Sequence, residues 1–343
     1  MCKTPIMIHS NERQLPQKTL VVGGAGYIGS VLVQRLLSSG RGVCAFDNLT
    51  WGSGNSLLGV ADNPDFEFFR GDMRNREEVR EALQGVDAVV LLAGLVGDPI
   101  TKMYPEQAMQ VNVDGVRATI QESLEAGVGR LVFISTCSNY GLREDDSLAT
   151  ESSPLNPLSL YAEQKVEIEE MLMQVGRASS SAITVLRFAT AFGVSPRMRT
   201  DLTVSHFAKD AVLDGRIEIY DPDTWRPYCH IDDLCTAIQI VLSSDRVLIS
   251  GEVFNIGSTA ENYTKRTLGE LILKLRPGVE LVFRDGGGDA RNYRVSFDKA
   301  SQKLGFSTRI SVLDHLPLLL AAFESGIIAT DADSLARMGN FRL

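Results

Sequence analysis

Lys18-Thr19-Leu20-Val21-Val22-Gly23-Gly24-Ala25-Gly26-Tyr27-Ile28-Gly29 joins a short apolar run to a glycine-rich turn. An apolar strand that breaks into glycines and restarts as a helix leaves backbone N–H groups and a helix N-terminus where a phosphate can sit. The spacing Gly23-x-x-Gly26-x-x-Gly29 carries one residue more between its first two glycines than the usual dinucleotide fingerprint. Glycines also close ordinary strand-to-helix loops, so the context decides. The following stretch predicts a helix over Tyr27 to Ser39 with an apolar face of Ile28, Val31, Leu32 and Leu36, stopping at Gly40. A second strand, Gly42-Val43-Cys44-Ala45-Phe46, then ends at Asp47. An acidic side chain at that strand tip, roughly 20 residues past the turn, can accept from both adenosine ribose hydroxyls and repels a 2′-phosphate. The expected cofactor is NAD rather than NADP.

The 343 residues, 44% apolar and 22% charged, suffice for a large core and two lobes. A net charge of −9 argues against a general nucleic-acid or anionic-membrane binder, either of which needs a concentrated basic surface. Cys2, Cys44, Cys137, Cys229 and Cys235 lack the paired spacing of a zinc site, so free thiols in a reducing cytoplasm and no metal are expected. No apolar run approaches about 20 residues, and the polar stretch Met1 to Gln17 lacks the apolar centre of a signal peptide. It reads as a flexible leader.

Strand and helix patterns alternate onward from Asp47. Phe66 to Arg70 is a strand ending at Gly71-Asp72-Met73, where Asp72 and Met73 are candidates for the adenine wall and Asp72 is equally a helix cap. Val86 to Leu92 is nearly all apolar, as for a strand covered on both faces, and ends in Ala93-Gly94. A helical pattern over Pro105 to Gly127 contains Asn112, and the strand Arg130 to Ser135 follows. A helix from Ser159 to about Val175 and a strand over Ala182 to Phe188 complete the series. This alternation predicts an α/β domain with a doubly wound parallel sheet over residues 18–190, with a return segment at about 229–258. Residues 191–228 and 259–330 read as a smaller substrate lobe, and 331–343 as a tail.

Tyr161-x-x-x-Lys165 carries the chemistry. Residues four apart share a helix face, so the Lys165 ammonium is expected near the Tyr161 phenol, lowering its pKa toward a working base. Ser135-Thr136-Cys137-Ser138 closes the preceding strand at the sheet edge where such folds place ligands, so a Thr136 hydroxyl can hold the oxygen that Tyr161 deprotonates.

Together, the glycine turn, Asp47, Thr136, Tyr161 and Lys165 resemble the extended short-chain dehydrogenase/reductase family, whose Rossmann-type enzymes include nucleotide-sugar epimerases, dehydratases and reductases. Leu92-Ala93-Gly94, Asn112-Val113, Ser138-Asn139-Tyr140-Gly141 and Trp225-Arg226-Pro227-Tyr228-Cys229-His230-Ile231-Asp232-Asp233 extend the resemblance over about residues 18–325. It implies a cofactor site of Gly23, Gly26, Tyr27, Ile28, Gly29, Asp47, Asn48, Asp72, Met73, Leu92, Ala93, Gly94, Asn112, Tyr161 and Lys165. It also implies a nucleotide-diphosphate sugar as substrate, with Arg226 on the diphosphate, and a homodimer through the helices Pro105–Gly127 and Ser159–Val175.

Two departures bear on the substrate. Thr190 stands where many relatives carry asparagine, and Gly286-Gly287-Gly288-Asp289-Ala290-Arg291 replaces the familiar Arg-Pro-Gly-Asp segment, leaving Arg291 as a shifted second phosphate contact. Arg197 and Arg199 are expected to grip an anion, either the diphosphate or a sugar carboxylate, with solvated loop charge as the alternative. His206 is a uridine-side or packing residue. The family's 4,6-dehydratases place an acidic pair directly after the threonine, whereas Cys137 and Ser138 stand here, expected with Thr136 as substrate contacts and not as an acid and base pair. The expectation is therefore an NAD-dependent epimerase oxidising a sugar carbinol, most simply C4, with a 4-keto-sugar reductase as runner-up, then a 4,6-dehydratase, then a non-enzymatic dinucleotide sensor.

Overall fold

The computed structural model describes residues 17–143, 147–176 and 179–340, so the leader expected over 1–17 lies outside it except for Gln17. The strands are β1 (Lys18–Val22), β2 (Gly42–Asp47), β3 (Phe66–Arg70), β4 (Ala88–Leu91), β5 (Arg130–Thr136), β6 (Ala182–Phe188), β7 (Thr190–Phe192), β8 (Arg216–Tyr220), β9 (Trp225–His230), β10 (Glu252–Ile256), β11 (Asn262–Thr264) and β12 (Glu280–Arg284). Seven of them form one sheet in the order β10-β6-β5-β4-β1-β2-β3, every pairing parallel. Strand order reverses at β1, between β2 and β4, which opens a crevice at their C-terminal ends.

The apolar strands β4 and β6 are buried along their whole length, whereas the edge strand β3 sets Glu67 and Arg70 among phenylalanines and is exposed at Glu67, Phe68 and Arg70. On one face of the sheet, Leu32 and Leu36 of the helix Tyr27–Ser38 pack with Leu234 and Ile238 of the helix Ile231–Ser243. Arg35 ties these two helices together by donating to Asp232 and Thr236, each at 3.0 Å. Val79, Ile120, Ile168 and Leu172, from three further helices, cover the other face.

β7, β9 and β11 form a three-stranded sheet and β8 and β12 a two-stranded one, beside the helices Thr203–Leu213, Lys265–Leu275 and Val312–Glu324. Tyr27 of the glycine turn belongs to this second core, and its hydroxyl donates to Gly193 O at 2.7 Å. The smaller core is thereby docked on the turn itself.

Two features depart from the sequence reading. The helix expected over Pro105 to Gly127 has a π-helical turn, Gln110–Gly115, between Pro105–Met109 and Val116–Glu125. The expected tail instead contains a helix, Ala332–Met338, followed by a buried Asn340. Among the described residues no helix is long and apolar enough to cross a membrane.

Candidate active site

The glycine turn leaves no room for side chains. Gly23 sits at φ +88°, and a Cβ there would come within 2.7 Å of Ala93 N. One on Gly29 would come within 2.0 Å of Gly23 O. Gly26 enters the helix Tyr27–Ser38 in extended conformation and no side chain caps that helix, so its first N–H groups face the crevice.

A cavity of about 380 Å³ opens over the turn. Gly23, Gly26, Tyr27, Ile28 and Gly29 line it from the turn, and Asp47 and Asn48 from the tip of β2. Asp72 and Met73 line it beyond β3, and Leu92, Ala93 and Gly94 beyond β4. Asp47 stands on a fixed mount, its carboxylate accepting from Ala25 N at 3.0 Å and Leu49 N at 2.8 Å. Burial raises its pKa against those two hydrogen bonds. Asp72 is held down at about 2, chiefly by the hydrogen bond from Arg74. An uncapped helix N-terminus, a side-chain-free approach and a buried acid at the ribose end together suit an adenine dinucleotide without a 2′-phosphate.

Asn112 does not line this cavity. It is buried in the π-helical turn, accepts from Leu95 N at 2.7 Å, and donates to Leu95 O at 3.0 Å and Gln164 Oε1 at 2.8 Å. The local widening of the helix points its amide at the loop after β4, making it a positioning residue for that wall.

Tyr161 and Lys165 lie one turn apart on the helix Leu160–Gly176, and, against the expectation that placed them in the cofactor site, neither lines the cavity over the glycine turn. Lys165 is buried, donates to Ile134 O at 2.8 Å and lies 4.6 Å from the Phe133 ring centroid, against 5.9 Å from that of Tyr161. Burial lowers its pKa to about 8, with Glu169 opposing. Tyr161 departs from the expectation of a lowered pKa. Removal from water pushes the phenol up; Arg199 opposes that shift, Asp98 adds to it and Arg291 opposes it. Burial thus favours the protonated phenol. Thr136 ends β5, its Oγ1 accepting from Ser138 N at 3.1 Å.

On the substrate side, Asp289 joins the two arginines singled out from sequence, at 2.8 Å from Arg226 and 2.7 Å from Arg291. Arg291 also reaches Asp98 at 3.0 Å and donates to Ser138 Oγ at 3.3 Å. Ser138 Oγ is 3.2 Å from Tyr293 OH. Burial alone would raise the pKa of Asp289; Arg291 and Arg226 outweigh it and hold the acid well below its ordinary value. Thr190 sits half-buried in β7, in register with Tyr228 of β9.

Four expectations for the substrate side change. Cys137 is buried with its thiol donating to Arg187 O at 3.3 Å, and burial pushes its pKa far up, so it faces the protein interior and not a sugar. His206 is half-exposed, pairs with Asp210 at 3.2 Å and lies in a separate hollow against the helix Ala332–Met338. Arg197 and Arg199 both line the dinucleotide cavity. Asp201 neutralises Arg199 at 2.6 Å, while Arg197 donates to Asn340 Oδ1 at 2.8 Å.

Sequence reasoning missed Asp98, the first residue of the helix Asp98–Met103, and Tyr293, which lies on a loop; both come from distant positions. It also missed Glu169, which recurs at the same helical spacing as Tyr161 and Lys165 and was open to detection.

The NAD dependent epimerase/dehydratase family model matches residues 19–257. The chain belongs to this family. A dTDP-glucose 4,6-dehydratase of Streptomyces niveus is 31% identical over 312 residues, 87% of this chain and 90% of that protein. A UDP-glucose 4-epimerase of Lactobacillus helveticus is 29% identical over 320 residues, 87% of this chain and 94% of that protein. Among solved structures, DesIV, a dTDP-glucose 4,6-dehydratase from Streptomyces venezuelae with NAD and TYD bound, superposes with a TM-score of 0.81 at 28% identity, covering 90% of this chain and 97% of that one. This epimerase/dehydratase family member is thus an NAD-dependent enzyme of the extended short-chain dehydrogenase/reductase type.

Proposed function

We propose that the enzyme is a nucleotide-sugar epimerase that inverts a sugar carbinol, C4 in the simplest case, through a transient keto-sugar. The surroundings of Thr136 carry this reading. Directly after it stand a thiol turned away onto Arg187 O and a serine hydroxyl engaged with Tyr293 and Arg291. Water elimination needs an acid and a base at that place to move protons on the neighbouring carbons. Inversion by oxidation and return does not.

Bound NAD supplies the acceptor and donor of the hydride. The Tyr161 phenolate takes the carbinol proton and gives it back, and the Thr136 hydroxyl fixes the oxygen it acts on. Because burial raises the phenol's pKa, cationic charge around the cleft has to bring it down, and Arg199 acts in that direction. Arg226 and Arg291, pre-aligned by Asp289, present guanidinium forks to the substrate diphosphate. Asp98 places a second carboxylate on Arg291 and fixes its guanidinium.

The four described cysteines are free and buried, which supports a reducing, cytoplasmic setting. A homodimer through the helix faces around Met109 and Val175, both partly exposed, belongs to the same proposal. Incubation with a panel of nucleotide sugars and no added cofactor tests the reading. An isomer of unchanged mass is expected; a product lacking one water, or one formed only with reduced cofactor, contradicts it.

A further inference from the structure

Three arginines line the dinucleotide cavity. Arg74 is paired with Asp72 and Arg199 with Asp201. Arg197 is only 7% exposed, yet among the described residues no carboxylate lies within ion-pair distance of it. Its guanidinium is held from two sides, 5.6 Å from the Trp51 ring centroid and by the hydrogen bond to Asn340 Oδ1. Asp201 and Asp47 act on its charge only from beyond contact. A buried cation with no carboxylate in contact is costly, and rigid mounting makes it a prepared anion site.

The segment that carries Arg197 is itself fastened to the glycine turn. Ser195 Oγ donates to Tyr27 O at 2.7 Å, lies 3.2 Å from Ser30 Oγ and accepts from Arg197 N at 3.3 Å. Arg197 is thereby anchored to the uncapped first turn of the helix Tyr27–Ser38, where backbone N–H groups await an anion. The C-terminal segment closes the arrangement. Met338 O accepts from Thr200 N at 3.1 Å, and Asn340 Nδ2 donates to Val96 O at 3.4 Å.

We propose that Arg197 is the side-chain cation that receives the diphosphate of the bound dinucleotide, held in position by Trp51 and by Asn340 of the C-terminal segment. The helix N-terminus takes one side of the diphosphate and the guanidinium the other. The assignment holds whichever sugar reaction the enzyme performs. It moves Arg197 from the substrate to the cofactor, and it gives residues after 331 a part in cofactor binding.

Calorimetric titration of cofactor-stripped protein with NAD, ADP, adenosine and NADP tests it. Arg197→Gln is expected to weaken NAD and ADP by about 10- to 100-fold while leaving adenosine unchanged, and Arg197→Lys to recover part of the loss. Asn340→Ala, which frees the guanidinium without altering it, is expected to give a smaller loss in the same ligands. Should Arg197→Gln fail to fold, the lysine and Asn340 variants carry the test. Unchanged NAD and ADP affinity in those two overturns the proposal. So does adenosine falling in step with ADP, the mark of a merely structural role. A loss confined to NADP also overturns it, by assigning Arg197 to a 2′-phosphate.

Discussion

Glu169 and Arg187 form an ion pair inside the enzyme, 2.7 Å from Oε2 to the terminal guanidinium nitrogen, with both side chains almost wholly shielded from water. Glu169 lies one helical turn beyond Lys165, and it also accepts from Ser135 Oγ and, at 2.8 Å, from Asn139 Nδ2. Arg187 donates to Tyr140 OH at 3.0 Å, which in turn donates to Asn255 Oδ1 at 2.7 Å. One polar network therefore joins the catalytic helix, the end of β5, β6 and β10. Removing one partner of a buried pair leaves the other charge uncompensated. Glu169→Gln is expected to cost about 3–5 kcal/mol in urea unfolding. A loss below about 1 kcal/mol would show that the network is not a structural anchor.

Tyr161→Phe removes the proposed proton acceptor and leaves the ring. Turnover should fall by about 10²- to 10⁴-fold, while NAD affinity changes little, because the phenol does not line the dinucleotide cavity. Steady-state kinetics beside a binding titration separates the two effects, and near-normal turnover would remove Tyr161 from the mechanism.

At Gly29 a Cβ would collide with Gly23 O at 2.0 Å. Gly29→Ala must reshape the turn that presents the helix N-terminus. NAD is expected to be lost on dialysis of this variant, with the sheet intact by circular dichroism. Retention of NAD would mean that the turn does not hold the cofactor.

His230 caps the helix Ile231–Ser243 by accepting from Asp232 N at 3.2 Å and packs edge-on against His315, with ring centroids 4.5 Å apart. Burial, then the neighbouring His315, lowers its pKa from 6.5 to about 4. Between these values the unfolded chain binds more protons than the folded one, so stability falls as pH is lowered through that window. The contribution of His230 is on the order of 3 kcal/mol. Urea unfolding between pH 7 and pH 4 should show this slope and His230→Asn should flatten it; equal slopes would refute the assignment.

Much of the sheet was legible because its signals are local. Uninterrupted apolar runs mark buried strands such as β4 and β6, and Gly23 to Gly29 marks the turn between β1 and its helix. The Tyr161 and Lys165 pair was legible from spacing alone. Its electrostatics were not, because the charge that most opposes the burial shift on Tyr161 is Arg199, 38 positions away in sequence (199 − 161) and near only in space. Cys137 failed for a related reason. Its neighbours Thr136 and Ser138 are only partly buried, and Ser138 meets Arg291 and Tyr293, while the Cys137 thiol turns inward to β6. Asn340 carried no motif at all, and only the docking of the C-terminal helix brings it to Arg197.

The proposed inversion by this enzyme involves neither net oxidation nor loss of water. Its most direct test is turnover of a nucleotide sugar in deuterated water, with no added cofactor and the product read by mass spectrometry and NMR. The account predicts an isomer of unchanged mass, inverted at the oxidised carbon, with no carbon-bound deuterium. A product lighter by one water, or deuterium on a ring or methyl carbon, would contradict it.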